Sequence, residues 1–309
     1  MSTTLRVRLR TASAALAAII LIAAVLMVRP GIVGAAGLCP VYNDGTYSFA
    51  TLAAHNGVAL CVQRKVGTGD IAYWTVVDFK AGARARIVSQ TTTTVGQPTT
   101  QFKVRHANDW FTYAKSNVSS PSGGSLFSVT NASFFVTDFT ATTSLMYPLR
   151  QDYQVKSVGE KPGPNEKRWL GFGGNGTAFG YLGTYDYNGH NYTGNDPTII
   201  AGLYTNTRDY VVGLGPTVGS SSTSKAQRVY VGFVDTDGNL TGDRMIIFQA
   251  KVGYTISEAD GAVGWWGCPP AWRIQLDGAS STQFYAENGS YQLSTWRAVP
   301  SVIAVWQAP

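Results

Sequence analysis

The chain has 309 residues, of which 44% are hydrophobic and only 14% charged, with a formal net charge of +6. That charge misleads: Arg6, Arg8, Arg10 and Arg29 fall within the first 36 residues, which hold no acid, so the remainder sets 20 basic against 18 acidic residues, or +2. A near-neutral body without a Lys/Arg cluster excludes nucleic-acid binding as its main task.

In chain order, the first segment is a targeting element. Three arginines precede an uncharged Ala/Ile/Leu run from Ala12 to Val28, followed by the small residues Gly34-Ala35-Ala36. This pattern reads as a cleaved secretory signal over 1–36, with an uncleaved N-terminal membrane anchor as the alternative. Either reading makes the protein secreted or extracytoplasmic, touching a membrane only through this segment.

Residues 37–69 read as an N-terminal extension with one strand in GVALCVQRKV. Residues 71–90 alternate as two strands around an Ala81-Gly82 turn. A short helix is expected from Asp109, its candidate N-cap, to Ser116. LFSVTNASFF, Leu126 to Phe135, is a strand that breaks at Asn131-Ala132-Ser133. Lys161 to Arg168 has the composition of a surface loop, and the Gly/Asn/Tyr-rich stretch after it reads as hairpins with a long loop. Its GFGGNG run lacks the strand–turn–helix frame of a dinucleotide site. Thr255-Ile256-Ser257-Glu258 fits a capping box. The whole reads as a strand-rich α+β domain of mixed sheets with a few short helices.

Three cysteines follow the leader, so an oxidising compartment permits one disulfide. Cys39 with Cys61 is the local choice, and Cys268, among apolar residues, is expected to be buried and inert. His55, His106 and His190 are scattered. Asp235, Asp237 and Asp243 hint at a calcium loop but read better as a hairpin with an Asp-Gly turn. Neither a metal nor a cofactor is expected.

The richest segment is Ile274 to Gly289, IQLDGASSTQFYAENG. An apolar strand hands over to Asp277-Gly278-Ala279-Ser280-Ser281-Thr282. Small residues admit a ligand to the backbone, and a carboxylate beside hydroxyls can hold a polyol or position a water. An Asp-Gly turn with a polar rim is the plain alternative.

Together, NASFF and LDGASST resemble the paired motifs of the phosphodiester glycosidase family, with Ala or Ser at positions where that family carries Gly. Tyr73–Ser89, Asp109–Ser120, Ala226–Leu240, the run leading into Asp277, and Arg297-Ala298-Val299-Pro300 are similar to further family segments, in family order, over roughly residues 70–309. The resemblance implies a single catalytic domain over 70–309 that hydrolyses a sugar-1-phosphodiester in a cell-envelope or extracellular glycan. It implies Asp277 as base or nucleophile. Arg228 and Arg297 take the family's two Arg positions, suited to bidentate phosphate binding; a buried structural pairing with Asp277 is the alternative. Asn131 is a candidate for a sugar hydroxyl or the phosphate, or for a local turn bond. Gly278, Ser280, Ser281 and Thr282 complete the candidate substrate contacts. A carbohydrate-binding or envelope-structural protein using the same cleft, and a Ser-based esterase, are the competing classes. Oligomeric state is not legible.

Overall fold

A computed structural model describes residues 37–136, 141–160, 167–173, 180–185, 207–218, 223–238 and 242–309. The leader reading and much of the Gly/Asn/Tyr-rich stretch lie outside the described residues. In chain order the elements are β1 (Tyr47–His55), β2 (Val58–Lys65), β3 (Gly69–Asp78), β4 (Arg84–Ser89), β5 (Phe102–Lys103), α1 (Ala107–Asn117), β6 (Leu126–Asn131), β7 (Thr142–Thr143), β8 (Leu149–Gln151) and β9 (Gln154–Ser157). They continue with β10 (Lys167–Gly173), β11 (Gly180–Tyr185), β12 (Thr207–Leu214), β13 (Val229–Val234), β14 (Arg244–Ala250), α2 (Ile256–Trp265), β15 (Arg273–Leu276), β16 (Phe284–Ala286), β17 (Tyr291–Leu293) and β18 (Ser301–Trp306). This is a strand-rich α+β fold.

The large sheet runs β1-β2-β3-β14-β13-β15-β12-β10-β11, with β8 and β9 attached beside β12. The smaller runs β17-β16-β6-β18-β4. Every strand pairing within these two sheets is antiparallel. The central strands of the large sheet are apolar on both faces because both faces are covered. Val58, Leu60, Val229, Val231 and Ile247 join the main core with Phe284 and Val302 of the small sheet. Trp74, Tyr230 and Phe248 face the other way, against Val263 and Trp266 at α2. Buried Gln249 reaches across between the sheets, its Nε2 donating to Thr130 Oγ1 at 2.8 Å.

The elements depart from the sequence pattern in several places. The strands of Tyr73–Ser89 do not form a hairpin: β3 pairs with β2 and β14, whereas β4 crosses to the small sheet beside β18. Residues 37–69 contribute β1 and β2 to the large sheet, and β2, buried between β1 and β3, supplies Val58, Leu60 and Val62 to the main core. The helix begins at Ala107 with His106 as N-cap, placing Asp109 in the first turn. There its carboxylate still meets the positive end of the helix dipole. The early start has a tertiary cause, because Gln283 Oε1 accepts the Ala107 N–H at 2.7 Å. Lys167 and Arg168, expected in a loop, open β10 instead. The capping box stands as expected, with Thr255 and Glu258 bonding reciprocally.

Candidate functional site

The two motif strands end side by side. β6 of the small sheet stops at Asn131 and β15 of the large sheet stops at Leu276. Asp277 N–H then donates to Ala132 O at 3.3 Å. Asn131 Nδ2 donates to Asp277 O at 2.7 Å, while Asn131 Oδ1 accepts from Gln283 N–H at 3.0 Å. One buried amide therefore braces both ends of the Asp277–Gln283 turn. Behind it, Ser301 Oγ donates to Ser133 Oγ at 2.6 Å and accepts the Ser133 N–H at 3.2 Å, which holds the NASFF turn on β18.

After Asp277 the backbone presses against the entry to β13. Ala279 N–H donates to Gln227 O at 2.7 Å. A Cβ on Gly278 would stand 2.9 Å from that same oxygen, so this position needs glycine. Ala279 follows at φ +52°, a left-handed conformation, and opens the 3-10 turn Ala279–Ser281.

Asp277 is partly exposed, and burial pushes its carboxyl up to about 6; the Ser281 hydroxyl, the Arg297 guanidinium and the Gly278 N–H oppose that rise. Arg297 donates to Ser281 Oγ at 3.4 Å and lies over the Phe135 ring, 4.4 Å from its centroid. Its carbonyl accepts from Gln283 Nε2 at 2.8 Å, so the brace that holds the turn also holds the arginine's backbone. Phe134, the other aromatic of NASFF, packs edge-on to Tyr147 at 5.4 Å. Burial and the Asp277 charge raise the Tyr147 phenol to about 12. The Lys167 ammonium lies 4.9 Å from the Tyr147 ring centroid, and burial lowers it to about 8.

Asn131, Asp277, Ser281 and Arg297 thus come together from elements far apart in sequence. Arg228 is placed differently. Its Nε donates to Tyr254 O at 3.2 Å and its NH2 to Ser224 O at 3.1 Å. Side chains alternate along β13, so Arg228 shares a face with Tyr230 while Val229 points into the main core. The Arg228 guanidinium thus holds two backbone carbonyls, and Arg297 is the arginine whose charge acts on Asp277. Ser280 is half-buried in the turn. Thr282 is fully buried, and its Oγ1 has no hydrogen-bond partner among the described residues.

Sequence reading missed Tyr147, Lys167 and Gln283. The first two lie where the pattern is irregular, and nothing local marks them. Gln283 directly follows the hydroxyl run and was legible only as part of the next strand.

Elsewhere, Cys39 and Cys61 form a disulfide with Cα atoms 5.6 Å apart. Cys268 is buried, its thiol pushed up to about 12 by burial. The carboxylates of Asp235, Asp237 and Asp243 cluster within 4.8 Å of one another. Lys80 Nζ bridges Asp237 at 2.7 Å and Asp243 at 2.9 Å, so a protein cation already sits among them.

No family model matches this sequence, and no curated protein matches it. Among solved structures, the chain is similar to the zebrafish N-acetylglucosamine-1-phosphodiester alpha-N-acetylglucosaminidase catalytic domain auto-inhibited by pro-peptide, at 11% identity over 87% of this chain and 86% of that chain, with a TM-score of 0.44, a distant likeness of fold.

Proposed function

We propose that the Asp277 cleft hydrolyses a sugar-1-phosphodiester in an extracytoplasmic glycan, cleaving between the anomeric carbon and the phosphate oxygen. The observation that carries this reading is a carboxylate raised to about 6 by burial, beside an arginine stacked on Phe135. A carboxylate with that affinity is a usable base near neutral pH. Asp277 takes a proton from water as the water oxygen bonds to the anomeric carbon. The bond from that carbon to the phosphate oxygen breaks, and its electrons leave with the phosphate. The products are a free sugar and a phosphomonoester. Arg297 meets the charge on the departing phosphate through its guanidinium fork. Gly278 lets the substrate approach the turn backbone, and Ser280 and Ser281 supply hydroxyls to it. In this reading Asn131 positions Asp277 from behind, and Thr282 supports the turn from the core side. The sequence resemblance of NASFF and LDGASST supplies the substrate class.

The test is sugar release from a nucleotide-linked N-acetylhexosamine by the wild-type protein and by Asp277→Ala. The expected result is release from the wild type that rises with pH through about 6 and falls by about 10²–10⁴-fold in the variant. Equal release by both proteins overturns the role of Asp277. Binding of sugar phosphates without turnover supports the non-catalytic carbohydrate-binding reading instead.

A further inference from the structure

A second concave site lies on the large sheet, on the face turned away from the small sheet and at its β1 edge. It is a pocket of about 240 Å³ lined by Tyr42, Tyr47, Phe49, Gln63, Trp74, Ala262 and Trp265. Five of these seven are aromatic, and those five come from three separate parts of the chain. Phe49 and Trp265 stack face to face, with centroids 5.1 Å apart and planes within 5°. Tyr42 closes against Trp265 edge-on at 5.7 Å. Trp74 forms the floor and is almost fully buried, whereas Trp265 forms the rim and is 42% exposed.

The wall carrying Tyr42 is held in place before any ligand arrives. The Cys39–Cys61 disulfide ties this segment to β2. Tyr42 Oη donates to Asp44 Oδ2 at 2.7 Å, and Asp44 Oδ1 accepts the N–H groups of Thr46 at 2.8 Å and Tyr47 at 2.6 Å. A rigid aromatic pocket loses little conformational freedom on binding.

Two polar atoms of the lining are unsatisfied. Among the described residues, Trp74 Nε1 is a buried donor with no hydrogen-bond partner, and Gln63 Oε1 is a buried acceptor with none. Leaving such groups unpaired in the interior is unfavourable. They are complementary in kind, one donor and one acceptor, among faces that suit C–H surfaces. A hydroxyl both donates and accepts, so a pyranose carries the bonding groups that both atoms lack, on a ring whose C–H faces suit aromatic walls. A quaternary ammonium, the other usual guest of an aromatic cage, offers no acceptor to Trp74 and no donor to Gln63.

We infer that this pocket is a carbohydrate-binding site, separate from the Asp277 cleft, that takes one neutral pyranose unit. It stands on its own lining and does not depend on Asp277 being catalytic. Its consequence for a polymeric glycan is tethering: a chain held here has a raised effective concentration at any other sugar site on the molecule.

The test is calorimetric titration of the intact protein with cellohexaose, chitohexaose, mannohexaose and choline, in parallel with Trp265→Ala, Tyr42→Ala and Asp277→Ala. Trp265 is at the rim, so its truncation leaves the core intact, and unchanged thermal unfolding verifies this. The expected result is binding of at least one hexasaccharide, weakened at least tenfold in Trp265→Ala and Tyr42→Ala and unchanged in Asp277→Ala. No binding of any hexasaccharide overturns the inference, as does binding of choline alone. Sugar binding that survives Trp265→Ala but is lost in Asp277→Ala assigns all binding to the cleft and overturns it too.

Discussion

Asp277 separates a functional carboxylate from a structural one by the sign of its effect on stability. Its folded value, about 6, lies above its ordinary 3.8. The folded state therefore binds more protons between these values, so stability falls as pH rises through that window and stays lower above it. Asp277→Asn is expected to stabilise the protein at pH 7 by on the order of 1–3 kcal/mol, to have no such effect below pH 4, and to abolish turnover. Urea unfolding at the two pH values reads the sign. Destabilisation at pH 7 would instead mark a structural ion pair with Arg297. Arg297 has its own test. Lysine keeps the charge but loses the fork and the flat stack on Phe135, so Arg297→Lys is expected to raise KM for a sugar phosphodiester at least tenfold while leaving folding intact. Ala279 sits at φ +52°, where a Cβ is strained. Ala279→Gly is expected to be neutral to about 1 kcal/mol stabilising in thermal unfolding, which would mark Ala279 as a tolerated strain.

The elements that build the site are joined by one glutamine. Gln283 caps α1 through Ala107 N–H and holds the strand entering β18 through Arg297 O. Gln283→Ala leaves a buried donor and a buried acceptor unpaired, with an expected loss of about 2–4 kcal/mol. It should also speed hydrogen exchange at the first turn of α1 while β13 and β14 stay protected, a local signature that a general loss of packing would not produce. The elements themselves were legible where their pattern is local. The capping box announces α2, and the Asp-Gly turn announces the β13–β14 hairpin. The start of α1 was not legible, because its cap comes from a residue 176 positions away.

At the scale of the molecule, two sheets must stay in register for the ends of β6 and β15 to meet. A buried ion pair helps to set that register. Arg86 on β4 donates to Asp209 on β12 at 3.1 Å, and also bonds Asp152. Asp209 is wholly buried and its carboxyl is pushed up by burial, with Arg86 opposing. Arg86→Met strands that carboxylate, with an expected cost of about 3–5 kcal/mol in denaturant unfolding. Adding Asp209→Leu should restore most of the loss, since two apolar groups satisfy one another where a lone charge cannot.

The strand-rich class, the turns, the helix cap at Thr255 and the small-residue break after Leu276 were legible from the chain, because they follow from local propensity and from patterns a few residues long. The sequence also brought forward Asn131, Asp277 and Arg297 through their motifs. Contacts between distant strands part β3 and β4 into different sheets, turn Arg228 to Tyr254 and Ser224, bring Tyr147 within reach of the Asp277 charge and lay Lys167 over the Tyr147 ring. The physical reason is the two-residue alternation of a strand. Which face a side chain takes, and what covers that face, depends on strands distant in sequence, and no run of neighbouring residues encodes it.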